Sequence, residues 1–315
     1  MESLAGVEAL KMDRIDDTTV FESRRSFLLG LAYRLLGSRA EAEDVVQDLF
    51  IKWLEADQAS IANPAAWLTT ACTRHCIDLL RSARRARVDY IGTWLPEPIH
   101  TLHHDSPEQS HELASSLSTA FLLLLERLTP KERAAYLLYD IFDLDYPQVA
   151  AALDVQEATC RKLVSRAKAS LGNAQVRHQP EPSRQQELLS AFHAAIASGS
   201  TQGLAVLLSE DVELCADGGG KASAIRETLY GLEAVLAFVG ESLSRYWREY
   251  QWQEVEINGG RGVVLRGAGE VVAVVSFGYD GEGRVNRVFI MRNPEKLVGL
   301  VLSLSDHGGD ERIGI

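Results

Sequence analysis

The stretch "DYPQVAAALDVQEATCRKLVSRAKASL", residues 145–171, decides the architecture. Its apolar spacing predicts a short helix from about Pro147 to Leu153, a turn Asp154-Val155-Gln156, and a longer helix after it. Val149, Leu153 and Val155 form a small core with Cys160, Leu163, Val164, Ala167 and Leu171. The opposite side of the second helix carries Arg161, Lys162, Ser165, Arg166 and Lys168. Small apolar residues inward and basic residues outward are what a helix entering the DNA major groove requires. Asp154 occupies a turn position often held by glycine, and Asp tolerates left-handed backbone better than most residues. The plainer alternative, an amphipathic hairpin with a solvated basic face, is weakened by the sequence that precedes it.

Residues 20–87 read as helical throughout. "FLLGLAYRLLG" ends on Gly37, a C-cap, and Ser38 or Arg39 opens an acidic-first helix, "AEAEDVVQDLFIKWLEAD". After the loop "ADQASIANP", Pro64 sits near the start of a third helix that is apolar early and basic late. Net charge is −12, which argues against a simple polyanion binder. Yet residues 74–90 hold five arginines against two aspartates, and residues 158–172 hold four basic residues and no acidic one. Two basic helices in an acidic chain point to selective contact with nucleic acid.

Between Val88 and about Ser110 periodicity disappears, and "WLPEPIHTLHHDSPEQS" reads as a flexible interdomain linker. "HQPEPSR" marks a second one at 178–184. Beyond it a helix to about Ser198 and another around "GLEAVLAFVGESLSRYW" precede four β-rich runs: "QWQEVEING", "RGVVLRGAG", "EVVAVVSFGYD" and "RVNRVFIMR". The last third is therefore α+β, with a largely antiparallel sheet. No apolar run is long enough to span a bilayer and no signal pattern opens the chain, so a cytoplasmic protein is expected. The four cysteines form no disulfide-like framework. "CADGGGKAS" fails as a phosphate loop, because Cys215 and Ala222 stand where a Walker A motif needs glycine and a hydroxyl. Cys72, His75 and Cys76 lack a fourth metal ligand, and the linker histidines His100, His103, His104 and His111 have no metal-site pattern, so neither a metal nor any other cofactor is expected.

"AEDVVQDLFIKW" with "NPAAWLTTACTRHCIDLLRSARRAR" resembles region 2 of extracytoplasmic-function (ECF) sigma factors, the promoter-recognition subunits of bacterial RNA polymerase. "LTPKERAAYLLYDIFDLDYPQVAAALDVQEATCRKLVSRAKASL" resembles region 4 of the same family. The resemblance reaches a subfamily with a C-terminal SnoaL-like domain and three motifs. They correspond to "WLPEP" at 94–98, "DGGGK" at 217–221 and "NPEKL" at 293–297, where the subfamily has NPDKL. It implies a multidomain fold: two all-α sigma domains and a cone-shaped α+β SnoaL-like domain. The expected boundaries are 18–88 for region 2, 89–112 for the linker, 113–174 for region 4, 175–183 for a second linker, 184–300 for the SnoaL-like domain and 301–315 for a tail.

The resemblance also implies roles. Asp44, Gln47 and Asp48, at i, i+3 and i+4, share one helix face and would dock on core polymerase. Asn63, in the loop that receives a −10 base, offers both donor and acceptor, and Trp67 either stacks on a base or anchors its helix, the anchor being favoured. Arg81, Arg84, Arg85 and Arg87 would meet phosphates. Arg161 and Lys162 are the base-edge candidates at the −35 element, with Ser165 on the same surface and Arg166 and Lys168 on phosphates. Trp94, Pro96, Asp217, Gly218, Gly219, Gly220, Lys221, Asn293, Pro294 and Lys296 form an interdomain regulatory set. The implied partners are core RNA polymerase and promoter DNA as −35 duplex and −10 single strand, with no membrane and no separate anti-sigma factor. A small ligand in the SnoaL-like cavity stays open. Catalysis is not expected, because His193 is the single histidine of that domain ahead of the tail and Asp217 lacks an evident partner. The competing reading is a helix-turn-helix regulator with a ligand-sensing SnoaL-like domain.

Overall fold

The structure, a computed structural model, describes residues 2–86, 90–101, 116–172 and 179–305. Arg87, His103, His104, His111 and residues 306–315 lie outside them, as do the side chains of Arg84 and Arg85. The chain divides into two compact units, residues 1–85 with 128–170 and residues 86–127 with 171–315.

The first unit is helical. Helix α1 (Glu2–Leu36) packs on α2 (Arg39–Glu55), and α3 (Pro64–Ala86) follows a short 3-10 turn. Gly37 takes φ 71° and donates to the Tyr33 carbonyl at 2.7 Å, and Ser38 caps α2 through the Glu41 amide. The expected helix ends are thus met by their expected residues. Phe21, Leu28, Leu31, Leu49, Trp53 and Leu68 are fully buried. Helix α5 (Pro130–Tyr136) begins with a Thr129/Glu132 capping box and continues as a π-helical turn, Leu137–Ile141. Helices α6 (Tyr146–Leu153) and α7 (Glu157–Leu171) flank Asp154, whose φ of 52° and ψ of 57° are left-handed as anticipated. Val149, Leu153, Cys160, Val164 and Ala167 are buried, whereas Val155 and Leu163 are only partly so. Two arginines tie the α5–α7 segment to α1 and α3. Buried Arg133 donates to the Leu35 carbonyl at 2.7 Å, and Arg74 donates to the carbonyls of Ala151 and Ala152, both at 3.2 Å.

The second unit is a six-stranded mixed sheet in the order β2-β1-β6-β5-β4-β3. The four runs read from sequence are β3 (Gln251–Ile257), β4 (Gly260–Gly267), β5 (Glu270–Tyr279) and β6 (Val285–Met291), all antiparallel neighbours. The strand β1 (Leu208–Asp217) was not legible, and it runs parallel to β6. A two-residue strand, β2 (Leu229–Tyr230), closes that edge. One sheet face packs on α8 (Pro182–Ser198) and on the broken helix formed by α10 (Leu232–Ala237), a π turn and α11 (Ser244–Trp247), with Phe192 and Trp247 in the core. Short α9 (Gln202–Ala205) joins α8 to β1.

The other face carries two further segments. Helix α4 (Thr119–Leu125) lies there, with Ala120 in a cluster with Val264, Val274 and Phe289 and with Thr119 Oγ1 3.2 Å from Ser276 Oγ. The region 4 boundaries read from sequence, 113–174, include this helix. The "WLPEP" connector also packs there: Trp94 is half-buried and Leu95, Pro96, Glu97 and Pro98 are buried. It ends in an isolated antiparallel bridge, His100 pairing with Ile257 while Asn258 N donates to Ile99 O and Thr101 N to Glu256 O. Helix α12 (Pro294–Ser305) closes this face through Leu297 and Leu300 and runs past the expected boundary at 300.

Candidate functional site

In the first unit the exposed side chains of α7 are those expected: Arg161, Lys162, Ser165, Arg166 and Lys168. Arg161 is paired with Glu157 at 2.5 Å, and its guanidinium carbon stands 4.1 Å above the Tyr146 ring. The Glu157 hydrogen bond is the largest influence on Arg161 and raises its pKa. Lys168 pairs with Asp140 at 2.6 Å. On α2, Asp44, Gln47 and Asp48 are all exposed on one side, and exposed Ile51 and Leu54 continue along the helix. Asp48 lies 3.9 Å from His75 Nε2.

Asn63 is the exposed N-cap of α3: its Oδ1 accepts from the Ala66 amide at 3.1 Å, while its backbone carbonyl accepts from Trp67 N. The acceptor half of this side chain is therefore engaged by the helix. Trp67 packs at 5.6 Å against buried Trp53, which is the anchoring arrangement. Arg81 is exposed and paired with Asp78 at 3.0 Å. Cys72 and Cys76 are buried, and no group of potential metal ligands occurs among the described residues.

The second unit gathers the three motifs around one carboxylate. Asp217 ends β1 and is fully buried. Its Oδ1 accepts from Tyr90 OH at 2.6 Å and from Gly219 N at 3.0 Å. Its Oδ2 accepts from Leu95 N at 2.9 Å and from Lys296 Nζ at 2.7 Å. Lys296 Nζ also donates to Leu95 O at 2.6 Å and sits 4.5 Å from the Trp94 ring centre and 4.9 Å from that of Tyr90. Asn293 donates through Nδ2 to Tyr90 OH at 2.8 Å, and Lys221 pairs with Glu295 at the surface. Burial first, and the Asp217 carboxylate next, hold the Tyr90 phenol well above its ordinary pKa, so it stays a donor. Tyr90 was missed by the sequence reading because it precedes the motif. A phenol four residues upstream of "WLPEP" that reaches a carboxylate 127 residues on could be inferred from neither composition nor period.

The glycines of "DGGGK" fit this clasp sterically. Gly219 has φ 58°, and a Cβ there would overlap the Asn293 amide; Gly220 has φ 71° and faces Ile91. Gly219→Val is expected to cost about 2 kcal/mol through the left-handed backbone alone. The measurable result is amide exchange in the peptide spanning 90–101 accelerated by roughly 30-fold. Unchanged exchange there would show that this close approach does not hold the linker.

A helical unit whose helix-turn-helix turns a basic side outward on its second helix has the form of a DNA-binding protein. Comparison makes the class specific. The family description "Sigma-70 region 2" matches residues 20–86, and "Sigma-70, region 4" matches residues 118–171. The chain is 37% identical over 233 residues to the ECF RNA polymerase sigma factor SigJ of Mycobacterium tuberculosis, covering 73% of this chain and 74% of the relative. It is 32% identical over 197 residues to the probable ECF sigma factor SigI of that organism, covering 62% and 68%. The crystal structure of M. tuberculosis SigJ matches with a TM-score of 0.68 and 30% identity, covering 90% of this chain and 98% of that one. The chain belongs to the ECF RNA polymerase sigma factors. It is a transcription initiation factor that works with core RNA polymerase on promoter DNA, and no enzymatic family is indicated. No helix among the described residues is long and apolar enough to cross a membrane.

Proposed function

We propose that the C-terminal sheet domain is a SnoaL-like regulator that controls this cytoplasmic sigma factor in cis. The observation that carries this reading is the Asp217–Lys296 pair enclosing the backbone of Leu95, which binds the region 2 to region 4 connector to the sheet domain. A connector held this way restricts the two readers it joins. Regions 2 and 4 are also tied directly, through Arg74 on the α6 carbonyls and Arg133 on Leu35 O. Reading two separate promoter elements requires these contacts to part, so polymerase binding must supply the difference between two states. This built-in restraint replaces a separate anti-sigma protein.

Within the holoenzyme, Asp44, Gln47 and Asp48 grip core polymerase. Asn63, Trp67, Arg81, Arg84 and Arg85 engage the −10 strand, with Trp67 acting through the position of its helix. Arg161, Lys162, Ser165, Arg166 and Lys168 meet the −35 duplex. The decisive experiment is initiation from a promoter library by purified core polymerase, comparing the full chain with Gly219→Val. The expected outcome is selected transcription by the full chain and an altered yield, on the same promoters, with the variant. Selected transcription that is identical for both would remove the cis-control reading, and no transcription at all would count against the residue assignments.

A further inference from the structure

Around α7, Cys160, Val164 and Ala167 define the buried side. At 3.6 residues per turn, Lys162 and Arg166 point roughly away from it, while Arg161 and Lys168 lie about 70–90° round, at its rim. These two rim cations are seven residues apart, about 10 Å along the axis. Both meet one aromatic stack. Tyr139 and Tyr146 lie with ring centres 4.2 Å apart and planes 22° from parallel. Arg161 stands over Tyr146, its guanidinium carbon 4.1 Å from the ring centre, and Lys168 approaches Tyr139 at 5.4 Å. The result is a ladder of Arg161, Tyr146, Tyr139 and Lys168.

Local sequence builds the ladder. The π turn over Leu137–Ile141 carries Tyr139. The Asp145/Gln148 capping box fixes Tyr146 as the first residue of α6. Each cation has one carboxylate partner as well, Glu157 for Arg161 and Asp140 for Lys168. Both side chains remain half exposed, at 57% and 50%. A flat guanidinium already stacked on a ring loses less rotamer freedom on meeting an anion than a free one does. The acid partners keep the free protein from binding any polyanion indiscriminately, and a phosphate must compete with them.

We infer that Tyr139 and Tyr146 are positioning residues that hold Arg161 and Lys168 as a matched pair of phosphate contacts, leaving base reading to Lys162 and Arg166. This deepens the promoter-reading role proposed above and rests on it. It reverses the sequence-based roles of Arg161 and Arg166. Arg161 is committed to the rim by its stack, while Arg166 stands on the outward face beside Lys162.

The test uses holoenzyme made with the full chain, titrated against duplexes randomised over the −35 element. Arg166→Ala is expected to relax preference at one position by about 5- to 150-fold. Arg161→Ala should weaken all duplexes equally and flatten the logarithmic salt dependence by about one unit. Tyr146→Leu should do the same, and combining it with Arg161→Ala should add little. Tyr146→Phe should bind as the parent does. Unchanged far-UV dichroism and melting temperature of the free variant report folding, and Arg161→Lys, which keeps charge but stacks poorly, gives an intermediate loss if Tyr146→Leu does not fold. A single-position change with Arg161→Ala, or fully additive losses from Tyr146→Leu and Arg161→Ala, would overturn the ladder's role alone. A parent holoenzyme that selects no −35 sequence would overturn the promoter-reading role and this inference together.

Discussion

Lys296→Met lowers the melting temperature of the C-terminal unit by roughly 6–20 °C, the equivalent of about 3–5 kcal/mol for removing one partner from a buried ion pair. The reason is the position of Asp217. Its side chain has no solvent access, and its Oδ2 keeps one donor, Leu95 N, when Lys296 is gone. The Leu95 carbonyl loses its donor in the same step. Methionine fills most of the volume against Trp94 and Tyr90, so packing loss is minor compared with the uncompensated charge. Asp217→Asn combined with Lys296→Met should recover only part of the loss. The amide removes the buried charge, but its Nδ2 then meets a donor at Leu95 N, Gly219 N or Tyr90 OH. Calorimetry on the three proteins decides it. A double variant as unstable as Lys296→Met would mean that the charge is not what the lysine offsets.

That pair also shows where sequence reading stops. The recognition of "DGGGK" and "NPEKL" as a regulatory set selected Asp217 and Lys296, but nothing in their spacing of 79 residues says that they touch. Pairing depends on β1 running parallel beside β6, so that Asp217 reaches Met291 at the sheet's end, next to α12. The sequence reading missed β1 altogether, because four acidic residues interrupt the apolar run of "LSEDVELCAD" even though glycines follow it. The helix-turn-helix was legible for the opposite reason. Its core, its cap residues and its left-handed Asp154 all lie within 27 residues, where local periodicity suffices.

Two segments were legible in kind but not in neighbour, because their local signals are true but incomplete. "WLPEP" lacks period and holds two prolines, which is correct for extended chain and silent on whether a sheet covers it. Helix α4, "TAFLLLL", is apolar on every side, with Thr119, Ala120, Phe121, Leu122, Leu124 and Leu125 all buried. Such a helix announces burial without naming its neighbour. Its placement on the β5 face follows from Gly278, where the nearest atom to a Cβ would be that of Ala120 at 3.2 Å.

Asp48→Arg abolishes capture of core polymerase by the full chain while leaving its far-UV dichroism and melting temperature as they are. Asp44, Gln47 and Asp48 project from a helix whose inner side, Ala42, Val45, Val46, Leu49 and Trp53, is buried, so the change touches no packing. The exposed Ile51 and Leu54 beside them supply apolar area that a partner helix would cover, with the acids setting its charge preference. Reversing a charge at such an edge puts like charges together at a cost of several kcal/mol, enough to lose a complex that survives washing. It also places a cation where the present carboxylate stands 3.9 Å from His75, on a side chain that is itself 58% exposed. Asp78→Arg is the matched control, because Asp78 is exposed on α3 and the charge change is identical. Capture lost with Asp48→Arg and kept with Asp78→Arg assigns the contact to the α2 face. Equal capture by both would move the polymerase contact to another surface of region 2, whereas equal loss would mean that overall charge, not this face, governs binding.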